Sequence, residues 1–228
     1  PREGAFAQVI RLPERNLLVV PDTLPLEVAA LTEPLACGWH AARLAERHGE
    51  TPLSSQSGDR RPLVLGGGAI GLASALALVA HGAPGAIIVE PNTVRWPSIE
   101  AAGPFEAVTP EAADRLSPDT VVDAYGSGRS RAQASQLVRP GGVVVHVGLA
   151  NAEPGLDTRR ATLQEVTFVG AYTYTAREFA DTLEAIADGR LGPLQWCEIR
   201  DLSDGTTAFA DLRAGRVEHA KIILAVRD

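Results

Sequence analysis

The stretch Leu63-Val64-Leu65-Gly66-Gly67-Gly68-Ala69-Ile70-Gly71-Leu72-Ala73 joins a short apolar run to three consecutive glycines and then to an Ala/Leu-rich segment. Gly66, Gly68 and Gly71 fall in the spacing G-x-G-x-x-G, between a predicted strand and a predicted helix. Such a junction aims a helix N-terminus, with its unpaired N–H groups and positive dipole end, at an anion. The three glycines then differ in what they allow. Gly66 permits the tight turn, Gly68 lets a pyrophosphate approach the backbone, and Gly71 lets the helix pack closely on the strand. Gly66, Gly68, Ala69, Ile70 and Gly71 are therefore candidate ligand-binding residues.

The next turn of the pattern agrees. After the helix comes His81-Gly82-Ala83-Pro84-Gly85, then a second apolar run, Ala86-Ile87-Ile88-Val89, ending in Glu90. Glu90 lies 19 residues beyond Gly71, close to the offset of about 20 at which an acid binds the adenosine ribose of a dinucleotide. A carboxylate there accepts from ribose hydroxyls and repels a 2′-phosphate, which favours NAD. Arg95 pulls the other way, because an arginine near this turn can hold a 2′-phosphate, so NADP stays open. Glu90 also reads simply as a solvated strand end.

From Pro62 onward strands and helices alternate. Predicted strands cover residues 63–65, 86–89, 107–108, 120–124, 142–147 and 166–170, with helices at 72–81, 130–138 and 176–188. Alternation of this kind gives a parallel, doubly wound α/β sheet with right-handed crossovers, and six strands suit two mononucleotide-binding halves. Upstream, residues 5–10 and 16–20 read as short β segments, and residues 26–47 as a helix interrupted at Thr32-Glu33-Pro34. Residues 204–214 read as a helix and 220–226 as a final strand. The domain reading is a dinucleotide-binding Rossmann unit over 62–189, a connecting helix and linker over 31–61, and a smaller part made of 1–30 with 190–228.

The bulk properties restrict the function. The 228 residues carry a net charge of −7, which argues against nucleic acid or an anionic membrane as partner. No apolar run approaches a membrane span, so a soluble cytoplasmic protein is expected. Cys37 and Cys197 form neither a disulfide framework nor a C-x-x-C zinc site, and both read as core residues. The five histidines show no metal spacing. His146, at a strand end, comes nearest to a functional position. The chain begins at Pro1 and contains no Met, which reads as part of a longer product.

In order along the chain, several segments resemble the zinc-type medium-chain dehydrogenase/reductase family, the alcohol and polyol dehydrogenases. They are Gly4-Ala5-Phe6-Ala7, Thr32-Glu33-Pro34-Leu35-Ala36-Cys37 with His40-Ala41, and the glycine turn with Glu90-Pro91. Further on come Leu137-Val138-Arg139-Pro140-Gly141-Gly142 leading to Val147-Gly148-Leu149, then Gly170-Ala171-Tyr172-Thr173-Tyr174-Thr175, and Ala214-Gly215-Arg216 with Lys221-Ile222-Ile223-Leu224. The resemblance implies NAD-linked oxidation of a secondary alcohol or polyol by hydride transfer, assisted by zinc in the complete protein, and a homodimer or homotetramer. It implies that residues 1–30 and 190–228 are the remnant of a β-rich, GroES-like substrate domain. It places Tyr125, Gly126, Gly148, Leu149 and Tyr172 along the cofactor, and Glu33 at the metal. Glu33 reads equally as an acid in the first turn of a helix. The family's N-terminal zinc-ligand region has no counterpart here. An S-adenosylmethionine-dependent methyltransferase shares the glycine loop, the acid and a Pro140-Gly141-Gly142-like turn. A non-catalytic nucleotide-binding or oligomerisation module is the third reading.

Overall fold

The computed structural model describes residues 4–226. The chain enters through an irregular segment with one 3-10 turn, then α1 (Leu26–Ala29) and α2 (Thr32–His48). The sheet unit follows as β1 (Leu63–Leu65), α3 (Ala69–Ala80), β2 (Ala86–Val89), α4 (Trp96–Ala102), β3 (Phe105–Val108) and α5 (Pro110–Ala113). Its second half is β4 (Thr120–Asp123), α6 (Gly128–Leu137), β5 (Val143–His146), α7 (Thr158–Leu163) and β6 (Thr167–Gly170). The chain closes with α8 (Ala176–Ala187), β7 (Cys197–Asp201), α9 (Gly205–Arg213) and β8 (Lys221–Ala225).

The six strands β1–β6 lie in the order β3-β2-β1-β4-β5-β6, and every pair is parallel. This is the expected doubly wound sheet. Successive side chains on a strand point to opposite faces, and both faces are covered. Val64, Ile88, Val122, Val143 and Val145 enter the core beneath α2, α3 and α8 with Leu35, Trp39, Leu72 and Ile186. Leu63, Leu65, Ile87, Val89, Val121 and Val144 enter the other, with Ala113 of α5 and Ala134 and Leu137 of α6. Strands buried on both sides need continuous apolar runs rather than alternation, which is how Leu63–Leu65 and Ala86–Val89 read. On α2, Gly38 meets the backbone of Ala73 on α3 so closely that a Cβ would overlap it.

Two expectations about the ends are corrected. Residues 5–10 and 16–20 are not strands; the only regular element there is the 3-10 turn Glu14–Asn16. A strand must pair its backbone groups with a neighbour, and no described strand runs beside them. Val9 and Val19 stay exposed instead. In the C-terminal part, β7 lay unrecognised in the sequence. It pairs in parallel with β8 across the α9 crossover. Phe6 packs edge-on against Phe209 of α9, ring centroids 5.8 Å apart. The first three and last two residues of the domain ranges 1–30 and 190–228 lie outside the described residues. Among the described residues no helix is long and apolar enough to cross a membrane.

Candidate functional site

β1 and β4 are neighbours, but their following connections run to opposite sides of the sheet, which opens a crevice at the carboxyl ends of the strands. A cleft of about 660 Å³ occupies that place. It is lined by Gly66, Gly68, Ala69, Ile70 and Gly71 after β1, by Glu90, Pro91 and Arg95 after β2, and by Tyr125, Ser127, Arg129 and Ser130 after β4.

The glycine turn behaves as the spacing requires. Gly66 has φ +106°, in the range that side chains avoid, and sits against Tyr125. A Cβ on Gly71 would overlap the Gly66 carbonyl oxygen, whereas one on Gly68 would meet nothing within 4 Å. The Gly68 N-cap offers no side chain to the first N–H groups of α3, so they remain available to an anion in the cleft.

Glu90 is buried, 4% exposed, and its carboxylate organises the turn. Oε2 accepts from Gly67 N at 2.9 Å and from Arg95 Nη1 at 3.4 Å, and Oε1 accepts from Asn92 N at 2.8 Å. Trp96 Nε1 donates to the Glu90 carbonyl at 2.9 Å. A carboxylate has about four acceptor positions, so capacity remains for a ribose hydroxyl. The simple solvated strand end is excluded by the burial.

Asp123, fully buried at the end of β4, does the same for the opposite wall. It accepts from Gly126 N at 2.8 Å, from Ser130 Oγ at 3.1 Å and from His146 Nδ1 at 3.1 Å. Ser127 and Ser130 cap α6 reciprocally. Gly126 and Gly148 press backbone to backbone, and a Cβ on either would overlap the other. These two glycines thus shape the wall without lining the cleft. Leu149 and Tyr172 are 83% and 81% exposed and stand outside it.

Glu33 also lies away from the cleft lining. Cys37 Sγ donates to its Oε1 at 3.9 Å. Burial, and then the Glu33 charge, push the Cys37 thiol up to about 11. The same two causes push the Tyr174 phenol up to about 12. Both groups stay protonated at neutral pH, and the Cys37 thiol serves Glu33 as a donor. A catalytic zinc takes three protein ligands, and no cluster of three or more His, Cys, Asp or Glu able to hold a metal occurs among the described residues.

The cleft also contains residues that the sequence did not single out: Pro110, Gln133, Asn151 and Glu153. Pro110 begins α5 one intervening residue after the end of β3, so extending the strand-end rule that found Glu90 by one residue would have found it. Gln133 sits in the interior of α6 and is brought to the cleft only by helix packing.

Known proteins are similar to this chain in sequence and in fold. The profile of the family described as zinc-binding dehydrogenase matches residues 69–188, more than half of the chain. A Saccharomyces cerevisiae protein named "Probable diacetyl reductase [(R)-acetoin forming] 2" is 30% identical over 205 residues, covering 83% of this chain and 47% of its own. An L-idonate 5-dehydrogenase of Vitis vinifera is 30% identical over 188 residues, covering 76% and 49%. The chain thus spans about half the length of these curated relatives. Among solved structures, a short chain alcohol dehydrogenase from Escherichia coli CFT073, complexed with NADH, superposes with a TM-score of 0.79 at 18% identity. That superposition covers 94% of this chain and 64% of that one. With the family profile matched from the first residue of α3 to the end of α8, the chain belongs to the zinc-binding dehydrogenase family.

Proposed function

We propose that the chain forms the dinucleotide-binding part of an NAD-linked dehydrogenase acting on a secondary alcohol or polyol. The observation that carries this is the uncapped N-terminus of α3 facing a cleft whose rim holds the buried Glu90. Relatives that include a dehydrogenase of L-idonate and a diacetyl reductase support the substrate class. In this reading residues 62–189 are the Rossmann unit, 31–61 the connecting segment, and 1–30 with 190–228 the remnant of the substrate domain. The sheet is parallel throughout, with β6 beside β5, which weighs against a methyltransferase.

When bound, the nicotinamide ring supplies hydride acceptance. The chain's own residues do the rest. The N–H groups at the start of α3 hold the diphosphate, and Glu90 accepts from the adenosine ribose while its charge disfavours a 2′-phosphate. Arg95, whose Nη1 lies 3.4 Å from Glu90 Oε2, offsets part of that charge. Asp123 fixes the wall formed by Tyr125 and Gly126. Homodimer or homotetramer assembly would use the free edge of β6, the last strand of the sheet; size-exclusion chromatography giving a monomer alone would refute it.

The cofactor part is tested by thermal unfolding. A ligand at 100 times its Kd stabilises by about 2.7 kcal/mol, roughly 5–10 °C in Tm for a domain of this size. NAD at saturating concentration should raise Tm by that amount, and NADH should quench Trp96, which touches Glu90. An unchanged Tm and unchanged fluorescence would reject the proposal.

A further inference from the structure

Beyond the diphosphate and ribose, the cleft continues toward β3. The glycine turn follows β1, Glu90 follows β2 and Pro110 follows β3, and these strands are adjacent in the order β3-β2-β1. In a dinucleotide the base leaves the ribose on the side away from the diphosphate. A base attached to a ribose at Glu90 therefore falls toward the stretch lined by Pro110, Arg129 and Gln133.

The amide of Gln133 is held in one orientation. Its Nε2 donates to the Pro110 carbonyl at 2.8 Å and lies 3.4 Å from Asp114 Oδ1. Turning the amide over would set its oxygen against a carbonyl and a carboxylate, so Oε1 must point away from both. That oxygen has no protein donor among the described residues.

Adenine presents a donor, its C6 amine, and few groups here can accept it. Arg129 only donates. Ser127 and Ser130 are buried at the start of α6 with their hydroxyls turned to each other: Ser127 Oγ accepts from Ser130 N and donates to Ser130 Oγ, which donates to Asp123. Asn151 Oδ1 accepts from Gly128 N. The Tyr125 hydroxyl either donates or accepts and cannot discriminate. Gln133 Oε1 and the exposed Glu153 carboxylate remain, and Glu153 Oε2 already accepts from Asn151 Nδ2 at 3.3 Å.

We propose that Gln133 Oε1 accepts the C6 amino group of adenine and selects 6-aminopurine over 6-oxopurine dinucleotides. This rests on reading the cleft as a dinucleotide site. The test compares Kd for NAD and for its hypoxanthine analogue, identical except for a C6 carbonyl, by titration calorimetry. With the amide pinned, the analogue meets oxygen with oxygen and should bind about five- to tenfold more weakly. Gln133→Leu should bring the ratio to about one, and Gln133→Lys, a donor at the same place, should reverse it. Glu153→Gln should leave it unchanged. Equal affinities in the unmodified protein would overturn the proposal, even where a variant fails to fold. A preference that survives Gln133→Leu or disappears with Glu153→Gln would do so too. Failure of NAD itself to bind would instead strike the cofactor reading.

Discussion

Glu90 does two things that a sequence cannot separate. Its position after β2 marks it as the ribose acid, yet most of its visible bonds tie Gly67, Asn92 and Arg95 together. Glu90→Gln removes the charge and turns a donor toward one of those N–H groups. NAD affinity should fall about tenfold while discrimination against NADP narrows, as calorimetry with both cofactors would record. Stability should drop by about 1–3 kcal/mol in urea unfolding. A variant with unchanged cofactor preference would show that Glu90 is structural only. Cys37 offers a second check. Its thiol, pushed up to about 11, should alkylate slowly in the folded protein at pH 8 and speed up only toward that value. Rapid labelling at neutral pH would contradict the Glu33–Cys37 arrangement. Glu33, in a segment that resembles a ligand pattern, accepts from the Cys37 thiol one helical turn along α2.

Among the elements, β4 carries a carboxylate at each end, and the two serve different purposes. Asp123 fixes the functional end, while Asp119, just before β4, ties the opposite end to Arg60, Thr51 and Arg139. Burial alone would raise the Asp119 pKa, but hydrogen bonds from Arg60, Thr51 and Arg139 outweigh it and hold it below the ordinary range. Its contribution to stability is therefore complete above the unfolded value of about 4 and is lost as pH falls through the lowered folded value. Asp119→Asn should flatten the decline of stability in acid, measured by urea unfolding between about pH 2 and 6. A decline identical to the parent's would place the acid sensitivity elsewhere. Most strands of the sheet were legible because they are short apolar runs closed by a turn; β3, with the charged Glu106 in it, was read only over its last two residues. β7 was not: Cys197-Glu198-Ile199-Arg200-Asp201 mixes charges into its length. Only its pairing with β8 and the Arg200 bridges to Glu198 and Asp211 make it a strand. The apolar segments at residues 5–10 and 16–20 failed in the opposite sense, having the composition of strands without a partner.

At the scale of the molecule, the C-terminal part is fastened to the cofactor loop. Asn92 Nδ2 donates to the Gly215 carbonyl at 2.8 Å, and Ser98 Oγ lies 3.2 Å from His219 Nδ1. Asn92→Ala should speed amide exchange both at residues 90–98 and at 214–219, read by hydrogen-exchange mass spectrometry, while β1 and β4 stay protected. Faster exchange confined to one of the two segments would mean that they are not coupled. The doubly wound sheet, the glycine turn and its acid were all readable along the chain, because they depend on local spacing: an apolar run, a positive-φ turn, a helix start. Folding in three dimensions was needed to show that Asp123 rather than a glycine organises the second wall, that Gln133 and Glu153 enter the cleft, and that Glu33 stands apart from it. Those facts depend on which strand ends become neighbours and how α6 packs over them, and residues far apart in the chain meet there without any periodic trace in the sequence.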